Sequence, residues 1–413
     1  MVSLPGIAKR DAWLAVMVAA LGYFVDIYDL ILFGMVRLSS LTDLGVKAAD
    51  LKAQGVYLFD MQMGGMLVGG ILWGIIGDKR GRLSVLFGSI TLYSLANIAN
   101  GFAHTVDSYA ICRLVAGIGL AGELGAGITL VSELMGREHR GLGTTLVGAL
   151  GVSGGVLAGF IGGAFGPGVS WRTAYFIGGG LGLVLLILRL GVVESGLFKA
   201  AFTKNVKRGN FFALFTNKQR VVRYLAIIAV GIPIWYVIGV LFTFANDLGA
   251  AQGMTPPPSP ARALFFCYAG CAVGGMLCGL VSQWLKSRRK VVGIFMIATA
   301  IVCVLYLTVG GTNPILFFTL CFFGGAASGY WTVFVAIGAE LFGTNLRATA
   351  TTTIPNFVRG SAVFVTLGFS ALSPSLGSIK AAAAMGVVSF AVAIVGFVFL
   401  PETYAVDLDY HEE

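Results

Sequence analysis

Two acids stand where an apolar chain rarely places any. The stretch LGYFVDIYDLILFG, residues 21–34, carries Asp26 and Asp29 three residues apart, on neighbouring faces if it is helical. An ionised carboxylate inside a bilayer costs at least ~2.5–3.5 kcal/mol, so each must face a cavity, meet a cation or hold a proton. Arginines lie in similar settings, Arg113 in RLVAGIGLAGELG and Arg359 in TTTIPNFVRG. Thr352, Asn356 and Arg359 recur at i, i+4 and i+7 and share one helical face. A planar guanidinium beside an amide is a receptor for a carboxylate or phosphate, so this face is a candidate substrate site. The bland alternative is an arginine paired with an acid elsewhere. Glu123 shares a run with Arg113 but is turned from it by about 80° on an ideal helix, a support or second proton site. Asp60 and Gln62 are weaker candidates of the same kind.

No imidazole is available for the same work, because His104, His139 and His411 fall in loops or the tail. The six cysteines all fall in apolar runs, and Cys267 with Cys271 lacks the company of a metal site. No Ser-His pair, metal triad or nucleotide loop is present. Covalent catalysis, a metal and a cofactor are therefore not expected.

The elements that position these residues follow from composition. With 57% hydrophobic and 11% charged residues and a mean hydropathy of +0.87, the chain reads as all-α and membrane-embedded. Twelve runs are long enough to span: 13–37, 55–77, 83–103, 108–134, 142–166, 173–193, 224–246, 263–285, 291–310, 314–338, 349–371 and 379–400. They are too long for barrel strands. Lys9 and Arg10 before the first run resemble a signal peptide, but its two aspartates and lack of a small-residue cleavage site argue for a retained helix.

When the spans alternate sides, 20 of the 28 Lys and Arg fall on one face and six on the other. The positive-inside rule makes the basic face cytoplasmic, with both termini there. The net charge of +9 is then a topology signal, and no basic soluble domain remains for nucleic acid.

The chain also repeats itself. SELMGREHRG sets Glu133 seven residues before Arg140, and AELFGTNLRA sets Glu340 seven before Arg347, an offset of 207. The same offset carries Asp29 onto Tyr236, and one of 205 carries Asp78 onto Gln283. Two six-helix halves are expected, 1–193 and 224–413, joined by a basic linker at 194–223. Each Glu-x6-Arg is expected to form a latch on the basic face, and Asp78 to lock helix ends there through arginines or free N–H groups. In IPIWYV, Pro233 should loosen the helix and free a carbonyl, making Trp235 and Tyr236 pocket candidates.

These motifs resemble the major facilitator superfamily. GIIGDKRGR places Gly74, Asp78, Gly81 and Arg82 at the positions of its loop motif, and Arg113, Glu133, Arg137 and Arg140 are similar to the fourth helix and following loop of the sugar-porter group. Trp171-Arg172, Glu194-Ser195 and Pro401-Glu402-Thr403 resemble further marks of that group, and Tyr330 and Trp331 its pocket aromatics. Asp26-x-x-Asp29 and AGELG look most like the proton-coupled sialic-acid and aromatic-acid porters. Gln283 departs from the pattern, and 151–166 lacks the glycine-proline signature of drug antiporters.

The resemblance implies a twelve-helix secondary transporter of the inner or plasma membrane, functional as a monomer, carrying a small organic anion with a proton. It implies that Asp29 and Arg113 form the coupling pair, with Asp26 adding like-charge repulsion. A neutral-sugar symporter, an efflux antiporter and a non-transporting membrane sensor or intramembrane enzyme are the alternatives.

Overall fold

The computed structural model describes residues 9–135, 137–189, 209–408 and 412, with side chains from Ala12 onward except those of Arg137 and Glu138. Among them twelve helices are long and apolar enough to cross a membrane, and no residue is in a strand. In order they are Ala12–Asp43, Leu51–Arg80, Arg82–Gly101, Val106–Leu134, His139–Ile161, Trp171–Leu188, Lys218–Phe242, Pro260–Trp284, Arg288–Thr312, Pro314–Glu340, Arg347–Leu376 and Ser378–Phe399. Most run a few residues beyond the apolar stretches, since helical hydrogen bonding continues through polar ends such as Lys79 and Arg80. The fifth stops short of its expected end, where GGAFGPG turns the chain. Residues 194–208 of the expected linker lie outside the described residues. The rest of it holds a short turn at Phe211–Phe215 and the start of the seventh span at Lys218.

Several spans are interrupted at mid-depth. The fourth breaks between Val106–Leu120 and Glu123–Leu134, and the tenth at the matching place between Pro314–Ser328 and Trp331–Glu340. The fifth breaks at Ser153. In the seventh, Pro233 is followed by a π-helical turn at Val237–Phe242, where the Thr243 N–H bonds the Ile238 carbonyl at 3.1 Å. Proline removes one donor of the regular ladder, and the helix accommodates by widening. The turn is wholly buried, as irregular backbone at this depth must be.

Packing repeats between the first and last six spans. The second lies on the fourth and the eighth on the tenth, close enough that a Cβ on Gly117 would stand 2.2 Å from the Gln62 carbonyl oxygen and one on Gly325 1.9 Å from that of Cys267. Tyr28 donates to the Ala174 carbonyl and Tyr236 to that of Ala382, each at 2.9 Å and each spanning 146 residues. Tyr236 is thus the counterpart of Tyr28, at an offset of 208, and not of Asp29. Insertions in the connecting loops change the offset from span to span, so the value read at the fourth span misplaces the first by one residue. The two sets of spans meet along the second against the eleventh and the fifth against the eighth. Ile297, Val304, Val387 and Val398 face outward, an apolar surface suited to lipid.

Candidate functional site

Asp26 and Arg359 face each other across the seam, Oδ2 to Nη2 at 3.3 Å, with neither side chain exposed. The Asn356 amide oxygen accepts from Arg359 at 3.4 Å, while its NH2 group donates to the carbonyls of Ala121 and Thr352. Asn356 therefore orients the arginine and ties the eleventh span to the fourth. Thr352 is pressed against Gly125 in the same helix contact. In this structure the arginine expected to hold substrate is held by an acid of the first span.

The expected Asp29–Arg113 ion pair is not closed. Both side chains are fully buried, yet neither carboxylate oxygen of Asp29 and none of the guanidinium nitrogens of Arg113 has a hydrogen-bond partner among the described residues. The Arg113 guanidinium instead lies over the Tyr175 ring, 5.1 Å from its centroid, and Asp29 is turned toward Gly178. Glu123 is fully engaged, accepting from Arg189 at 2.9 and 2.5 Å and from the Ser89 hydroxyl at 2.9 Å. Arg189 falls within the sixth expected run, 173–193, and the sequence counts it only toward the charge of the basic face. Its position at the end of the sixth span was the signal that it could reach inward.

A narrow cavity of about 20 Å³, room for about one water molecule, lies between the halves. The first six spans contribute Tyr23, Ile27 and Val152, and Trp235, Tyr268 and Trp331 dominate the other wall. Trp331 donates its indole N–H to the Tyr23 hydroxyl at 2.6 Å and stands 5.7 Å from the Arg359 guanidinium, which places the ion pair just behind the aromatic wall. Trp235 and Trp331 line this space. Tyr236 and Tyr330 do not, because their hydroxyls turn to backbone carbonyls of the twelfth and seventh spans. Tyr23 escaped notice in the sequence, although it shares a helical face with Asp26 and Ile27.

On the basic face the two Glu-x6-Arg motifs exchange partners. Glu133 accepts from Arg347 of the other half at 3.2 Å and from Arg82 at 2.8 Å. Glu340 meets Arg140 of the other half at 3.6 Å and Arg288 at 3.4 Å. The latches expected to hold the halves together were paired as Glu133 with Arg140 and Glu340 with Arg347, and the pairing is corrected to a crossed one: the helix ends between glutamate and arginine, so the arginine opens the next span beside the opposite half. Arg288, which the sequence did not single out, is the repeat partner of Arg82.

Asp78 receives the N–H groups of Ala348 and Thr349 at 3.1 and 2.8 Å, capping the eleventh span, and the Thr349 hydroxyl at 2.6 Å. A Cβ on Gly74 would lie 2.9 Å from the Thr349 Cα, and Gly81 turns the chain at φ 99°. Gln283, the counterpart of Asp78, packs against Gly141 without forming such a cap. The side chain of Arg137 lies outside the described residues.

Beside the clamp, Glu402 caps the ninth span, accepting from the N–H groups of Arg288 at 2.8 Å and Arg289 at 3.3 Å and from the Ser287 hydroxyl. Partial burial acts to raise its carboxyl, but these donors prevail and hold it below the usual range.

The comparisons with known proteins agree with this architecture. Residues 12–361 match the model of the Major Facilitator Superfamily. The chain is 24% identical to a probable 4-methylmuconolactone transporter of Cupriavidus pinatubonensis over 395 residues, covering 94% of this chain and 90% of that protein. It is 28% identical to the 3-(3-hydroxy-phenyl)propionate transporter of Escherichia coli over 316 residues, covering 74% and 76%. The fold matches the proton:xylose symporter XylE bound to 6-bromo-6-deoxy-D-glucose with a TM-score of 0.75 at 16% identity, over 97% of this chain and 98% of that one. The chain is a multi-pass membrane transporter, not an enzyme, and belongs to the Major Facilitator Superfamily.

Proposed function

We propose that this transporter carries a small aromatic or otherwise apolar carboxylate together with a proton, by alternating access between its halves. The observation that carries the reading is the buried Asp26–Arg359 pair behind the aromatic wall. As the halves part and widen the narrow space between them, a substrate carboxylate takes the place of Asp26 on the guanidinium, and the ring or apolar body lies against Trp235, Trp331 and Tyr23. Asp26, once released, is an uncompensated buried charge beside Asp29, and the two acids take up one proton. Substrate and proton are thereby bound together, and the neutralised seam is free to rock.

A neutral sugar fits the site less well. Sugar recognition needs many convergent polar groups, whereas this lining is mainly aromatic and aliphatic, and the likeness to the xylose symporter supports the fold alone. The named substrates of both relatives favour the organic-acid reading. The charge asymmetry favours a cytoplasmic basic face in the inner or plasma membrane, and the complete seam within one chain favours a working monomer. The test is uptake of labelled 3-(3-hydroxyphenyl)propionate and of D-xylose into proteoliposomes with an acid exterior. Accumulation of the acid alone supports the reading, and accumulation of xylose alone discards it.

A further inference from the structure

The third span carries a buried polar stripe that the substrate cavity does not use. Ser89, Tyr93, Asn97 and Asn100 follow one another at helical spacing along one face, and all are fully buried with Ser94 beside them. From Ser89 to Asn100 the helix rises about 16 Å, roughly half the thickness of a bilayer core. At one end Ser89 bonds Glu123, which is clamped by Arg189. Beyond it the Tyr93 and Ser94 hydroxyls and every amide atom of Asn97 and Asn100 lack a hydrogen-bond partner among the described residues. Such groups are costly to bury dry and mark a path that hydrogen-bonding guests can occupy.

The stripe is continuous with Asp29. A Cβ on Gly178 would stand 2.0 Å from the Asp29 Oδ1, and one on Gly182, a turn along the same span, 2.1 Å from the Ser94 Oγ and 3.2 Å from the Tyr93 hydroxyl. Asn97 lies one turn beyond Tyr93 on the same face of the third span. The charged or titratable groups near Asp29 are Asp26 and Tyr28 of its own span, Tyr93 of the third, Arg113 of the fourth and Tyr175 of the sixth. None of the third-span residues lines the cavity, whose walls from these six spans are Tyr23, Ile27 and Val152.

We infer that the polar face of the third span is a hydrated proton path, separate from the substrate route, that joins Asp29 to the membrane face opposite the basic one. Tyr93, Asn97 and Asn100 are its positioning residues. The inference rests on the proton-coupled reading above, and it adds where the proton enters.

The test uses the full chain in proteoliposomes and follows, for each variant, exchange of internal for external 3-(3-hydroxyphenyl)propionate and the alkalinisation of the medium that accompanies net uptake. Asn97→Leu and Asn100→Leu should keep exchange within about twofold of the parent and lose tenfold or more of the coupled proton flux. Tyr93→Phe, a mild change that leaves packing intact, should slow the proton flux alone, and Asn97→Ser should restore it. Replacing external sodium by choline should change nothing. Proton flux undiminished in all three apolar variants overturns the path while leaving the function standing. Parallel loss of exchange and proton flux in each also overturns it, since the stripe would then serve packing. A parent that takes up the acid with no alkalinisation overturns both the path and the function it rests on.

Discussion

Asp26 and Arg359, 333 residues apart in sequence, meet at 3.3 Å with no exposure to solvent, one from the first span and one from the eleventh. An ion pair so placed is costly to assemble and more costly to break on one side, about 3–5 kcal/mol when a single partner is removed. A ligand carboxylate that replaces the acid avoids that cost.

Arg359→Ala should abolish binding of 3-(3-hydroxyphenyl)propionate, and Arg359→Lys should restore it poorly, because an ammonium cannot reproduce the planar fork oriented by Asn356. Equilibrium binding to purified protein checks this. A lysine variant as tight as the parent would mean that no carboxylate is gripped there.

Asp29→Asn should still exchange ligand across the membrane yet lose accumulation driven by a proton gradient. Counterflow and gradient-driven uptake measured side by side separate the two. Retained accumulation would move the proton to another acid, although Glu123, already held twice by Arg189, is poorly placed to take it.

The crossed clamp predicts which residues are energetically coupled. Glu133→Gln with Arg347→Gln should show a coupling energy of about 1–3 kcal/mol in a thermal double-mutant cycle, and Glu133→Gln with Arg140→Gln should be near additive. Each single variant should open the basic face more often, seen as faster labelling of a cysteine placed in the cavity. Strong coupling within the second pair instead would restore the pairing of Glu133 with Arg140.

Glu402 gives a pH signature outside the membrane. Its folded carboxyl lies below the usual value, so its contribution is present above the ordinary glutamate range, near about pH 4.3, and is lost as pH falls through the folded value. Glu402→Gln should therefore lower the melting temperature slightly at pH 7, by the equivalent of about 0.3–1 kcal/mol, with the gap closing in acid. A gap that acidification leaves unchanged would assign the effect to packing.

The fold was legible because bilayer thickness forces long apolar runs, and the repeat because Glu133, Arg140, Glu340 and Arg347 keep their spacing through duplication. Partner choice was not. A seven-residue spacing says nothing about whether Arg347 turns to its own half or the other, and side-chain direction decided against Tyr236 and Tyr330 as cavity residues. Arg189 was hidden among topogenic charges, since a long side chain at a span end can point either to water or inward. Asp26 and Arg359 were each anomalous alone, but only the folded seam joins them.

The most direct test of the central claim counts protons at the moment of binding. Titration calorimetry of 3-(3-hydroxyphenyl)propionate in buffers of different ionisation enthalpy should give uptake of about one proton per ligand for the parent and close to none for Asp26→Asn, whose Arg359 is already free. Proton uptake near zero in the parent, or unchanged in Asp26→Asn, would contradict the exchange of Asp26 for the substrate carboxylate.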